Sequence, residues 1–252
     1  MNRDILRQIV VVAATVAMLI VNVLANALPL NGQNTGEISD RFQIYFVPAG
    51  YVFSIWLLIY LALGAYTIYQ ALPSQRENPR LRSIGYVFVF SCLANIAWLF
   101  LWHYEVFELT LVAMVALLLS LIMIYLRLNI GRGEVPGAER WTVHLPFSIY
   151  LGWITVATIA NATQLLDYLN WNGWGIQPEI WAVIMLAVGV LISVMMSLTR
   201  ADIAYSLVLI WAIIGIALKQ AGAPVVAASA WVSAGLIGLI LVLAVTRKGL
   251  AK

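Results

Sequence analysis

Charge is scarce in this chain. Asp, Glu, Lys and Arg make up 10% of its 252 residues, where roughly 25% is usual in a soluble domain. So few charges cannot cover a water-facing surface, and lipid is the expected solvent. The formal net charge of +3 is too small to point to nucleic acid as a partner. A single cysteine, Cys92, excludes an internal disulfide and reads as a small buried apolar residue. The two histidines, His103 and His144, fall at opposite membrane faces in the reading below, so they cannot share a metal. Either can offer one axial ligand to haem, with an interfacial structural role as the alternative. No P-loop, Ser/His/Asp set or GxGxxG opening a helix is present. No catalytic residue, metal or obligatory cofactor is therefore assigned.

Apolar residues are what the chain has in abundance, at 63% against about 45–50% in ordinary soluble domains. They come in runs that predict an all-α membrane protein of about eight spans, at residues 9–28, 49–72, 84–104, 108–128, 146–165, 180–199, 203–220 and 223–246. Each is long enough to cross about 30 Å of hydrocarbon as a helix. Helices are required because unpaired backbone groups in lipid cost several kcal/mol each. The first run follows Arg3 and Arg7. It exceeds the apolar core of about 7–15 residues in a signal peptide, so a retained span is expected. The seventh run ends at Lys219-Gln220-Ala221-Gly222, a tight turn that predicts an antiparallel hairpin with the eighth.

Basic residues sort by side. With the N-terminus inside, Arg3, Arg7, Arg76, Arg80, Arg82, Arg127, Arg132, Arg140, Arg200, Arg247, Lys248 and Lys252 are cytoplasmic. Only Arg41 and Lys219 are outside. This asymmetry obeys the positive-inside rule and predicts both termini in the cytoplasm, with a bacterial inner membrane as the expected location. All eleven carboxylates lie in loops or at span ends. None stands at membrane depth, which argues against an ion-coupled pump but leaves a passive carrier open. No internal repeat supports an inverted-repeat transporter. Arg200-Ala201-Asp202 between the sixth and seventh spans reads as a local ion pair or as helix caps. The longest outer segment, residues 29–48, carries a turn-rich stretch at residues 31–36. Residues 42–46 follow, amphipathic enough to lie at the interface.

Three spans carry a shared pattern. The second opens Pro48-Ala49-Gly50-Tyr51-Val52-Phe53-Ser54-Ile55-Trp56 and continues to Tyr60 and Gly64; the third holds Asn95-Ile96-Ala97-Trp98; the fifth holds Trp153, Ala157, Thr158 and Asn161. In this order and on these helices, the chain resembles the TspO/translocator protein family, the tryptophan-rich sensory proteins. The resemblance covers residues 5–165, so residues 1–165 are expected as a five-helix membrane domain and residues 166–252 as an additional three-helix membrane segment. Val47 replaces the first of the family's paired prolines, and Ser54 and Ile55 replace its glycine and proline before the tryptophan. The family's sterol-type pattern fails after Tyr168. A match occurs instead at Leu121, Tyr125 and Arg127, where an interfacial tyrosine and arginine is the simpler reading. The resemblance implies binding of porphyrins or other flat apolar ligands among five helices, with a role in sensing or regulating tetrapyrrole metabolism. Photochemical breakdown of porphyrin is attributed to some bacterial members. Dimers are common in the family, so a homodimer is an implied partner, although no dimer motif stands out.

Depth and helical face can be read without the resemblance. Trp56 lies seven residues from the outer end of its span and Trp98 seven from its own, about 10 Å deep. Thr158 and Asn161 fall in the same outer half. Phe53, Trp56, Tyr60 and Gly64 step by three and four, as do Asn95 with Trp98 and Trp153 with Ala157 and Asn161. Such stripes can line a cavity whose aromatic faces stack on a flat ligand and whose amides bond its polar edge, under the 29–48 segment as a lid. They can equally be helix-packing contacts. The candidate ligand-binding residues are Phe53, Trp56, Tyr60, Asn95, Trp98, Trp153, Ala157, Thr158 and Asn161. Trp102, Trp141, Trp171, Trp174 and Trp181 sit at span ends and read as interfacial belt, Trp211 and Trp231 as mid-span packing. An intramembrane enzyme acting on a pigment or lipid, a passive transporter and a structural subunit remain alternatives.

Overall fold

The computed structural model describes residues 2–28 and 30–250. Pro29 and Lys252, counted above in the long loop and among the cytoplasmic charges, lie outside the described residues. So does the side chain of Lys248. Every long apolar run forms a helix: α1 (Arg3–Ala27), then a short α2 (Thr35–Asp40) in the loop, α3 (Ile55–Ala71), α4 (Pro79–His103), α5 (Phe107–Arg127), α6 (Gly137–Tyr168), α7 (Pro178–Arg200), α8 (Ile203–Lys219) and α9 (Pro224–Leu250). Among the described residues seven spans are long and apolar enough to cross a membrane, the span of α3 including the tight turn Gly50–Ser54. The exception is α8, with 17 residues and about 25 Å of rise.

Helix starts follow capping chemistry. Asn2 accepts from the Asp4 amide at 2.9 Å, and Asn78 precedes Pro79 and accepts from the Arg80 amide at 3.0 Å. Asn34 and Glu37 form a reciprocal capping box on α2. Asp202 caps α8 through the Tyr205 amide at 3.1 Å. Its other oxygen accepts from Tyr125 and Ser148 at 2.8 and 2.7 Å, so this buried carboxylate ties α5, α6 and α8 together. Arg200 turns instead to Asn129 and the Ile130 carbonyl.

The middle of the bundle is α6. In its most apolar stretch 72% of residues are buried, against 33–44% in the other spans. It packs against α5 on one side and α8 on the other, while α1 fits between α3 and α4, and α9 closes on α7 and α8. Just over half of α8 is buried against its neighbours, while Ile203, Leu207, Trp211 and Leu218 stay exposed on its outer face. Two glycines permit the approach. A Cβ on Gly152 would stand 3.1 Å from both the Tyr205 carbonyl oxygen and Val208 Cβ. A Cβ on Gly215 would stand 2.2 Å from Val52, beside the point where the Ala49 amide donates to the Gly215 carbonyl at 3.1 Å. Both α8 contacts join the C-terminal helices to the first five.

The 30–48 segment folds across one end of the bundle. His103 is fully buried; its ring nitrogens meet Thr35 Oγ1 at 3.1 Å and the Leu30 carbonyl at 3.2 Å, so neither is free for a haem iron. Trp102 donates to the Thr35 carbonyl, Gln164 to Ser39 and Gln33 to Glu105. Arg41 pairs with Glu105 at 3.0 Å and Lys219 with Asp40 at 2.8 Å. Residues 42–46 do not lie along the membrane interface as their amphipathicity suggested. Phe42 packs on Trp102 and Phe107, and Phe46 is buried. The bundle end offers these rings a protein surface that buries them more fully than the interface would.

Gly215→Leu is expected to destabilise the detergent-solubilised protein by about 1–3 kcal/mol in thermal unfolding. Gly238→Leu, where a Cβ meets open space, is expected to leave the midpoint unchanged. The Gln33 hydrogen bond, and then Arg41, hold Glu105 below its ordinary pKa. Because the folded-state value is the lower one, this contribution is complete above the unfolded value of about 4.3. It is lost as pH falls through the folded value. Amide exchange in residues 30–42 should therefore gain an extra acid-side acceleration that Glu105→Gln removes.

Candidate functional site

Beneath the lid, aromatic side chains from three helices meet. Phe53 and Trp56 reach Trp153 edge-on at 5.7 and 6.1 Å between ring centroids, and Trp56 stacks on Tyr60 at 5.5 Å. Trp98 stacks on Trp102 at 5.4 Å. Between these groups is an inner chamber of about 50 Å³, walled by Phe53, Trp56, Trp98, Trp153, Ala157 and Asn161 and roofed by Val47 and Pro48. An outer chamber of about 330 Å³ shares Thr35, Phe53, Trp56 and Trp98 with it and adds Tyr60 and Asn22.

Asn161, 2% exposed, has its orientation decided by chemistry. Thr110 spends its hydroxyl proton on the Phe107 carbonyl at 2.6 Å, so it can only accept from Asn161, which donates Nδ2–H at 2.9 Å. The amide oxygen is then left to the Trp98 indole N–H at 3.2 Å, a group that can only donate. Trp98 is thereby held as one wall of the cavity. Trp153 is 3% exposed, and its indole N–H has no hydrogen-bond partner. A buried donor left unmade costs about 1–3 kcal/mol. Trp153 lines the inner chamber.

Two expected residues are placed elsewhere. Thr158 bonds back to the Ile154 carbonyl at 2.7 Å and does not line either chamber. Asn95 belongs to a chain of bonds just below: Tyr60 donates to Asn22 Oδ1 at 2.9 Å, Asn22 donates to Asn95 Oδ1 at 2.7 Å, and Asn95 donates to the Tyr150 hydroxyl at 3.2 Å. This chain crosses α1, α3, α4 and α6, so Asn95 supports the site by holding its helices together. In hydrocarbon such links are worth roughly 0.6–2 kcal/mol each.

Other residues were not visible from the stripes. Trp102 is not interfacial belt: it is 2% exposed, stacked and in the inner wall. Its spacing of one turn from Trp98 was the available signal. Asn22, an amide in the apolar stretch of α1, and Tyr150 had no partner that spacing alone could identify. Trp141 and Trp174 are 68% and 75% exposed, as belt residues should be. Trp211 donates to the Val52 carbonyl at 3.3 Å, while Trp231 is 49% exposed and faces outward rather than into packing.

No curated protein and no solved structure matches the chain. A family model described as TSPO-like protein matches residues 8–243, from α1 into α9. The chain is an integral membrane protein and belongs to the TSPO-like protein family.

Proposed function

We propose that the chain binds a flat hydrophobic small molecule, of the tetrapyrrole class, in the chambers beneath residues 30–48, and serves a sensory, regulatory or carrier role. The observation that carries this reading is the aromatic cavity walled by Trp56, Trp98 and Trp153, beside a buried Trp153 N–H that has no partner. A ligand carbonyl or carboxylate there would satisfy the donor that the protein leaves open, while the indole faces of Trp56 and Trp98 stack on an apolar plane. Small-molecule sites commonly measure about 300–1,000 Å³. The outer chamber reaches only the low end of that range. A macrocycle therefore needs the inner chamber opened by movement of the lid, which makes the lid contacts a gate on entry. The cluster of basic groups at the opposite end supports an orientation with that end in the cytoplasm and the lid outside.

Addition of a porphyrin to the purified protein is expected to quench tryptophan fluorescence saturably. Trp56→Ala, Trp98→Ala and Asn161→Ala should each weaken binding. Trp153→Phe, which keeps a ring and removes only the donor, should weaken it about fivefold to tenfold. Undiminished affinity in all four removes the site. Thr35→Val deletes the His103 contact without changing side-chain shape. Stopped-flow mixing should show entry about fivefold faster, the equivalent of one hydrogen bond of about 1 kcal/mol.

A further inference from the structure

At the basic end, far from the aromatic chambers, a second pocket of about 600 Å³ opens between the α5–α6 loop, the start of α6 and the α7–α8 turn. Its wall holds Arg132, Arg140, Arg200 and His144 against one carboxylate, Glu134. Two of these groups are uncommitted. The Arg140 guanidinium makes no hydrogen bond or ion pair among the described residues, and His144, 6% exposed, has a buried Nε2 with no partner. Arg132 donates from its Nε to the Thr199 carbonyl. Trp141 beside Arg140 is 68% exposed, which sets the pocket at the headgroup level where indoles collect.

The pocket does not end in water. Leu145 belongs both to its wall and to a groove of about 420 Å³ that runs up the outside of the bundle between α3, α6 and α8. Leu58, Ile149, Leu207 and Trp211 line that groove. From Ala204 to Trp211 it extends about 10 Å into the hydrocarbon layer. A free anion would satisfy the arginine and leave the groove unused; a neutral chain would fill the groove and leave Arg140 without a counter-ion. We infer that this composite site binds one anionic phospholipid, its phosphate held by Arg140 at the pocket wall and one acyl chain laid against Leu58 and Leu207. Basic pockets between spans on the cytoplasmic side are a recurrent means of holding anionic headgroups.

Delipidated full-length protein in nonionic detergent would be titrated with phosphatidylglycerol, phosphatidylcholine and inorganic phosphate, with bound species counted by native mass spectrometry. Phosphatidylglycerol is expected to bind at least tenfold more tightly than phosphatidylcholine. Arg140→Gln should remove most of that preference. Leu207→Trp, at an outward-facing position, should weaken phosphatidylglycerol while circular dichroism stays unchanged. Equal affinity for the two lipids, or an unchanged preference in Arg140→Gln, overturns the inference. Displacement of phosphatidylglycerol by millimolar phosphate, with Leu207→Trp behaving as wild type, also overturns it and assigns a soluble anion site instead.

Discussion

Hydrocarbon offers no water to a polar group, and this governs both the fold and the candidate site. Backbone groups are satisfied by helices, which leaves side-chain amides and hydroxyls to find one another across helix boundaries. The Tyr60–Asn22–Asn95–Tyr150 chain, the Trp98–Asn161–Thr110 chain and the Gln164–Ser39 bond are places where they do so near the cavity. Each bond fixes a rotation of one helix against its neighbour, so aromatic rings carried by the same helices are presented to a common space. Against that background the bare indole N–H of Trp153 is informative because nearly every comparable group nearby is paired.

The lid obeys the same logic at the bundle end. Its backbone carbonyls are anchored by His103 and Trp102 and its Ser39 hydroxyl by Gln164, and its apolar residues Ile38, Phe42 and Phe46 are driven against the bundle. These contacts are several and individually modest, each about 0.5–1.5 kcal/mol. The C-terminal helices contribute from the other side: α8, seated on Gly152 of α6 and pressed by Gly215 against Val52, backs the turn that carries Phe53. The cavity wall thus depends on helices that contribute no lining residue to either chamber.

Much was legible before any coordinates. Length and apolarity are local properties, so the runs at 84–104 and 108–128 marked α4 and α5 closely, and charge asymmetry sorted the loops into two ends that the structure keeps apart. Periodicity placed Phe53, Trp56 and Tyr60 on one face and Trp153, Ala157 and Asn161 on another, and the structure brings those faces together. Asn95 and Thr158, both named as candidate lining residues, bond instead to Asn22 and Tyr150 and to the Ile154 carbonyl. Depth follows from sequence position, whereas the direction a side chain points depends on how its helix is rotated.

The chain's residues by themselves determined that it is a membrane-embedded helical bundle, which ends of the helices share a side, and which aromatic stripes are available. Those outcomes follow from bilayer thickness, the helical repeat and the cost of unpaired backbone, all of which act within a single segment. Tertiary structure alone decided that Trp102 turns inward, that residues 42–46 plug the bundle rather than float at the interface, and that the Trp153 donor stays bare. In lipid a span can be apolar on every side, so its hydrophobicity does not say which face meets protein. Close packing at small residues and a few interhelical hydrogen bonds settle that, and both require the partner helix to be in place.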